Sequence, residues 1–103
     1  MDQAARQSLL SDVRNVLDVT WEDESTDQRL LIFIDAGVAY LNDKLGEAGD
    51  YMNPGYPRSL LFEYVRYARD EALDVFENNY LSLILAMQNG RKVDAYAAEM
   101  EGA

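Results

Sequence analysis

The chain has 103 residues, 49% of them hydrophobic, and its 19 acidic and 9 basic side chains give a net charge of −10. That length supports one domain, burying roughly 65% of its unfolded surface, and the acid excess argues against gripping phosphate backbones through a basic surface. With neither Cys nor His, disulfides, thiolate nucleophiles and Cys-based zinc sites are excluded, and the commonest general base and metal ligand is missing.

Apolar residues at Ala5, Leu9, Leu10, Val13, Val16 and Leu17 recur at offsets of three and four, which predicts a helix over about 3–17 with Asp2 as its N-cap. Asp18 to Glu24 breaks the pattern and reads as a connection whose Trp21 folds back onto the core. Ser25 and Gln28 fit a capping box, so a second helix is expected over about 26–45. Its stripe is Leu30, Phe33, Ile34, Gly37, Val38, Leu41 and Leu45, widened by Leu31, Ile32 and Tyr40. Gly37 costs about 1 kcal/mol relative to Ala in mid-helix, which points to another helix passing close by. Gly46 reads as the C-terminal stop.

Gly46 to Pro57 holds both prolines and reads as a structured loop, with Pro57 suited to a first helical turn. Helical periodicity resumes at Arg58 and runs to about Asn89, with a core stripe of Leu61, Tyr64, Val65, Ala68, Ala72, Val75, Phe76, Tyr80, Leu83, Ile84 and Met87. Glu63–Arg66 and Arg66–Asp70 stand at pairing distance on the opposite face. Asn78-Asn79 is the expected break, giving helices over about 57–78 and 79–89, or one long helix if there is none. From Tyr80 to Met87 the segment is apolar all round except for Ser82. A domain of this size struggles to bury such a segment, so it points to a subunit contact through Leu81 and Leu85. Gly90 is expected to stop the helix. The fold expected is therefore all-α, a small bundle of three to four helices over residues 1–90, with a flexible C-terminal tail at 91–103 that is mobile or ordered by a partner.

The acids Glu22, Asp23, Glu24 and Asp27 fail as a calcium loop, because counting from Asp18 puts Asp23 at the sixth position and Arg29 at the twelfth. They suit the positive end of a helix dipole instead. The serines have no His to activate them and no Gly-x-Ser-x-Gly elbow around them. Phosphate-cradling glycine loops are missing too, so neither an enzyme nor a cofactor is expected. Tyr51 and Tyr56 lie in the Pro/Gly loop with Arg58, Tyr67 and Arg69 nearby in sequence. Tyr and Arg are enriched at protein interfaces, though ordinary packing of the loop explains the two loop tyrosines as well. There is neither an apolar run of about eighteen residues nor a charged and apolar leader, so neither a membrane span nor a signal peptide is expected.

The string Val19-Thr20-Trp21-Glu22-Asp23-Glu24-Ser25-Thr26-Asp27 leads into an apolar helix ending in Lys44-Leu45-Gly46. Asp50-Tyr51 and Pro54-Gly55 follow, then Arg58-Ser59-Leu60-Leu61-Phe62-Glu63-Tyr64-Val65-Arg66-Tyr67-Ala68-Arg69, and Ala72-Leu73 with Phe76-Glu77-Asn78-Asn79-Tyr80. Over about residues 9–90 this resembles the small head–tail connector (adaptor, head-completion) proteins of tailed phages and of prophages in Gram-positive bacteria. The resemblance implies a non-catalytic all-α subunit that joins others in a ring, commonly a dodecamer, beneath the portal of a DNA-filled head. It implies portal protein as one partner and a stopper or tail-completion protein as another, with DNA passing through the lumen. The expected location is the head–tail interface of the virion, and the host cytoplasm during assembly. It also implies a reaching role for the C-terminal segment, where Arg91 and Lys92 are the first candidates. The competing reading is a small acidic regulatory module of the DNA-mimic type, which requires a continuous acidic stripe.

Overall fold

A computed structural model describes the backbone of residues 1–102 and the side chains of residues 1–90. Four helices follow one another: α1 (Gln3–Val16), α2 (Glu24–Leu45), α3 (Tyr56–Arg69) and α4 (Leu73–Gly102). They form an all-α bundle, with no strand among the described residues. The long central helix α2 touches each of the others, and α3 returns against both α2 and α4.

Each helix end has a local cause. The Asp2 carboxylate accepts the N–H of Ala5 at 2.7 Å and starts α1. The cap of α2 is Asp23, two residues before the expected Ser25. Its carboxylate accepts the backbone N–H of Ser25 at 3.1 Å and the Thr26 hydroxyl at 2.9 Å. Asp23 can do this because it precedes Ser25 in extended backbone, whereas Ser25 itself is already helical. Gly46, at φ 76°, closes α2 as expected, its N–H reaching the Asn42 carbonyl at 2.8 Å.

The expected break at Asn78-Asn79 is corrected to Asp70–Ala72. There Glu71 takes a left-handed φ of 57°, its N–H bonds the Ala68 carbonyl at 3.1 Å and the Ala72 N–H bonds the Tyr67 carbonyl at 2.8 Å. This is a Schellman closure. Asp18 closes α1 in the same way, also at φ 57°, with Asp18 N–H to Asn15 O at 3.3 Å and Val19 N–H to Arg14 O at 2.8 Å. The chain turns at Glu71 because a continuous helix would carry Phe76 away from Tyr64 and Tyr67. The antiparallel return buries it between them. Gly90 does not stop α4, whose backbone continues to Gly102. The side chains of the segment expected to be a tail, 91–103, lie outside the described residues, Arg91 and Lys92 with them.

The core joins Leu9 and Val13 of α1, Leu30, Ile34 and Leu41 of α2, Leu60, Leu61 and Val65 of α3, and Phe76, Ile84 and Met87 of α4. Gly37 has the role its position suggested: a Cβ there would lie 2.7 Å from Leu61 Cδ1 and 2.8 Å from Tyr64 Cδ1. Several stripe residues turn outward instead. Val16, Val75 and Leu83 are exposed, as is Ile32. In the connection after α1 the buried residue is Val19, whereas Trp21 is 50% exposed and does not fold back onto the core.

Candidate functional site

An aromatic spine joins α2, α3 and α4. Phe76 packs edge-on to Tyr40, Tyr64 and Tyr67 at centroid distances of 5.9, 5.4 and 5.8 Å, and stacks on Tyr80 at 5.3 Å. Such pairs each add about 0.5–1.5 kcal/mol beyond the area they bury. Tyr80 donates to the Glu63 carboxylate at 3.0 Å. Burial, followed by that hydrogen bond, pushes the Tyr80 phenol up to about 12. Of the two pairings expected for Arg66, Glu63 is made, at 3.6 Å.

Several residues read from the sequence as interface candidates serve the fold. Tyr51 is only 3% exposed, a correction to its reading as a loop surface residue. Its hydroxyl donates to Asn42 Oδ1 at 2.7 Å, the same oxygen that accepts the Gly49 N–H at 2.8 Å, and burial pushes its phenol up to about 12. Arg58 donates to the Tyr51 carbonyl at 2.9 Å and to Asp12 at 2.8 Å while its guanidinium lies over Phe62, 4.7 Å from the ring centroid. That arrangement ties the loop to α1 and α3. Asp50 accepts from the backbone of Met52 and Asn53 and from the Asn53 side chain, which holds its carboxyl below the usual carboxylate range. The loop is thus pinned from both sides. Tyr67 is half-buried, with its ring 5.5 Å from Tyr80 and its hydroxyl accepting from Asn79.

The others lie on open surface. Tyr56 is exposed at the start of α3, and Arg69 at its end. Leu81 and Leu85 are 45% and 48% exposed. With Asp74 and Asn78 they follow at spacings of four, three and four, so all four share the outward face of α4. No family model, curated protein or solved structure matches this chain.

Concavities accompany these surfaces, two of them at the start of α2. An open acidic groove between α1 and the start of α2 holds Glu22, Asp23, Glu24 and Asp27. Arg14 crosses it, donating to Asp27 and to the Trp21 carbonyl. No cluster of three or more acids arranged to hold a metal ion occurs among the described residues, and no described helix is long and apolar enough to cross a membrane. The second is a cavity of about 280 Å³ lined by Trp21, Thr26, Arg29, Leu30, Phe33 and Arg69. Sequence reasoning singled out Arg69 but missed Arg29 and the outward Trp21. The available signal was a basic residue one turn after an acidic helix start, with no acid three or four positions after it (Phe33 stands at i+4 and Ile32 at i+3).

Proposed function

We propose that the chain is a head–tail connector subunit of a tailed phage or prophage. It assembles as a ring, a dodecamer in the virion, beneath the portal and links the DNA-filled head to the tail. The observation that carries this reading is the outward face of α4, where Leu81 and Leu85 stand half exposed, 45% and 48%, on the same helix that buries Phe76, Ile84 and Met87 in the core. Paired aliphatic residues on an uncovered helix face suit a subunit contact, and a ring requires each subunit to offer its neighbours two different surfaces. The resemblance over residues 9–90 supplies the kind of assembly.

In this role the protein performs no chemistry. Its partners are the portal protein on one side, a stopper or tail-completion protein on the other, and its own copies around the ring. The net charge of −10 suits a wall that repels DNA phosphates and lets the genome slide past without sequence-specific binding. The DNA-mimic reading draws less support, because Asp12, Asp27, Asp35, Glu63 and Glu77 are engaged by cations and Asp2 and Asp23 cap helices. The protein, incubated with portal-bearing, DNA-filled heads and imaged at the neck, is expected to form a ring under the portal. A bare portal after incubation, or a pull-down that recovers a polymerase or nuclease instead of portal, refutes the assignment.

A further inference from the structure

In so acidic a chain a basic side chain has many carboxylates within reach, and most of the described ones hold one. Arg6 meets Asp35 at 2.9 Å, Lys44 meets Glu77 at 3.0 Å, Arg58 meets Asp12 at 2.8 Å and Arg66 meets Glu63 at 3.6 Å; Arg14 pairs with Asp27. Arg29 and Arg69 hold none among the described residues. Both line the same cavity of about 280 Å³, together with Phe33 and the half-exposed Trp21. Among the described residues Arg69 makes one hydrogen bond, a long one of 3.4 Å from Nη1 to the Leu17 carbonyl. Two guanidinium forks with no acid partner among the described residues, beside a Trp and a Phe, make a socket for a carboxylate carried on an apolar surface. The forks supply paired N–H donors and the rings supply contact area.

The same chain carries the complement. On the outward face of α4, Asp74 pairs with no cation among the described residues, and Leu81 stands seven positions further on, about 10 Å along the helix. With Glu77 and Asn78 they bound an open depression of about 350 Å³. An acid and a leucine on one helix face supply the two kinds of group, a carboxylate and an apolar side chain, that arginines and aromatic rings lining one cavity would take.

We propose that the Arg29/Arg69 socket of one copy receives α4 of a second copy, with Asp74 between the two guanidinium groups and Leu81 against Trp21 and Phe33. The contact joins two different patches, so it is heterologous and propagates into a ring or an open filament according to its rotation. As the subunit contact of a ring it rests on the connector reading, while its evidence, two arginines that pair with no acid among the described residues and an exposed leucine, is independent of the resemblance.

The test uses the full chain alone in solution, and its single tryptophan sits in the socket as a built-in reporter. Sedimentation is measured over a concentration series up to about 1 mM, the weak end of specific association, with Trp21 emission followed in parallel. The wild-type protein is expected to self-associate, with Trp21 emission shifting to the blue. The socket variant Arg29→Glu/Arg69→Glu and the ridge variant Leu81→Asp are each expected to stay monomeric. Both change exposed positions, and unchanged helical circular dichroism shows that they fold. Mixed in equal amounts, they are expected to form a one-to-one pair and nothing larger, because one socket and one ridge remain intact between them.

Wild-type protein that stays monomeric throughout overturns the proposal and leaves the socket to an acidic segment of another protein. Association unaltered in the variants overturns it as well, as does a mixture that does not pair. Failure here is separable from failure of the connector reading. A ring under the portal built from the socket variant sinks this contact alone, whereas pairing in solution with a bare portal sinks the connector assignment alone.

Discussion

Replacing Gly37 by Ala opposes two effects whose sizes the structure sets. Alanine is the better helix former by about 1 kcal/mol, and in an unobstructed helix the exchange would stabilise. At position 37 the new methyl would lie 2.7 Å from Leu61 Cδ1 and 2.8 Å from Tyr64 Cδ1, about 1 Å inside the 3.5–4.0 Å optimum for carbon pairs. Neither neighbour can step aside cheaply. Leu61 is fully buried, and the Tyr64 ring is held 5.6 Å from Tyr40 and 5.4 Å from Phe76. Relief therefore requires α2 and α3 to separate, and overpacking of this kind costs about 1–3 kcal/mol.

Gly90 supplies the internal control, since it lies within α4 and a Cβ there meets nothing within 4 Å among the described residues. The propensity gain is common to both sites and cancels in the comparison. Gly90→Ala is expected to raise stability by up to about 1 kcal/mol, and Gly37→Ala to fall about 1–3 kcal/mol below it. Urea unfolding followed by far-ultraviolet circular dichroism measures both, and a 1 kcal/mol change corresponds to about 4–8 °C in Tm for a domain of this size. Gly37→Ala as stable as Gly90→Ala would refute the close approach of α2 and α3 as the reason for glycine.

Two further outcomes follow from the turn and the loop. Glu71→Gly places glycine at a left-handed φ of 57° and is expected to raise the urea midpoint by the equivalent of about 1 kcal/mol. No change would mean that the Schellman closure carries no strain at Glu71. The Tyr51 phenol is raised by burial from an ordinary 10 to about 12, so the folded state keeps its proton where the unfolded state loses it. Its contribution to stability is complete below about pH 10 and is lost as the pH climbs towards 12. Tyr51→Phe should cost about 1 kcal/mol at neutral pH through the lost bond to Asn42 and flatten the alkaline decline, read from urea midpoints across that range. A decline as steep as that of wild type would place the alkaline sensitivity elsewhere, with Tyr80 the next residue to change.

The sequence alone determined the all-α class, the starts of α1 and α3 and the ends of α1 and α2, because these rest on local chemistry. Asp2 caps through a hydrogen bond three residues away, Pro57 suits a first turn, and Gly46 relieves a left-handed φ. The surplus of apolar residues around Leu81 and Leu85 was also legible, since a helix that is apolar all round cannot bury every side. What the sequence did not determine is where the long periodic stretch from Arg58 onward turns. Glu71 is a poor residue for a left-handed φ, and no Gly or Pro marks the site. The burial of Phe76 between Tyr64 and Tyr67, with Ile84 and Met87 further along α4, makes the turn there favourable, and that gain exists only once α3 and α4 lie side by side. The fates of Tyr51 and Trp21 were equally non-local. Asn42, nine positions before it, and Arg58, seven after it, hold the loop tyrosine inward from two different helices, while Val19 takes the buried position and leaves Trp21 outside. The socket shared by Trp21, Arg29 and Arg69 exists only in three dimensions, because it joins the end of α3 to the start of α2. Patterns of period 3.6 record which face of a helix is apolar; which neighbour covers that face, and which arginine is left without an acid, is decided by packing.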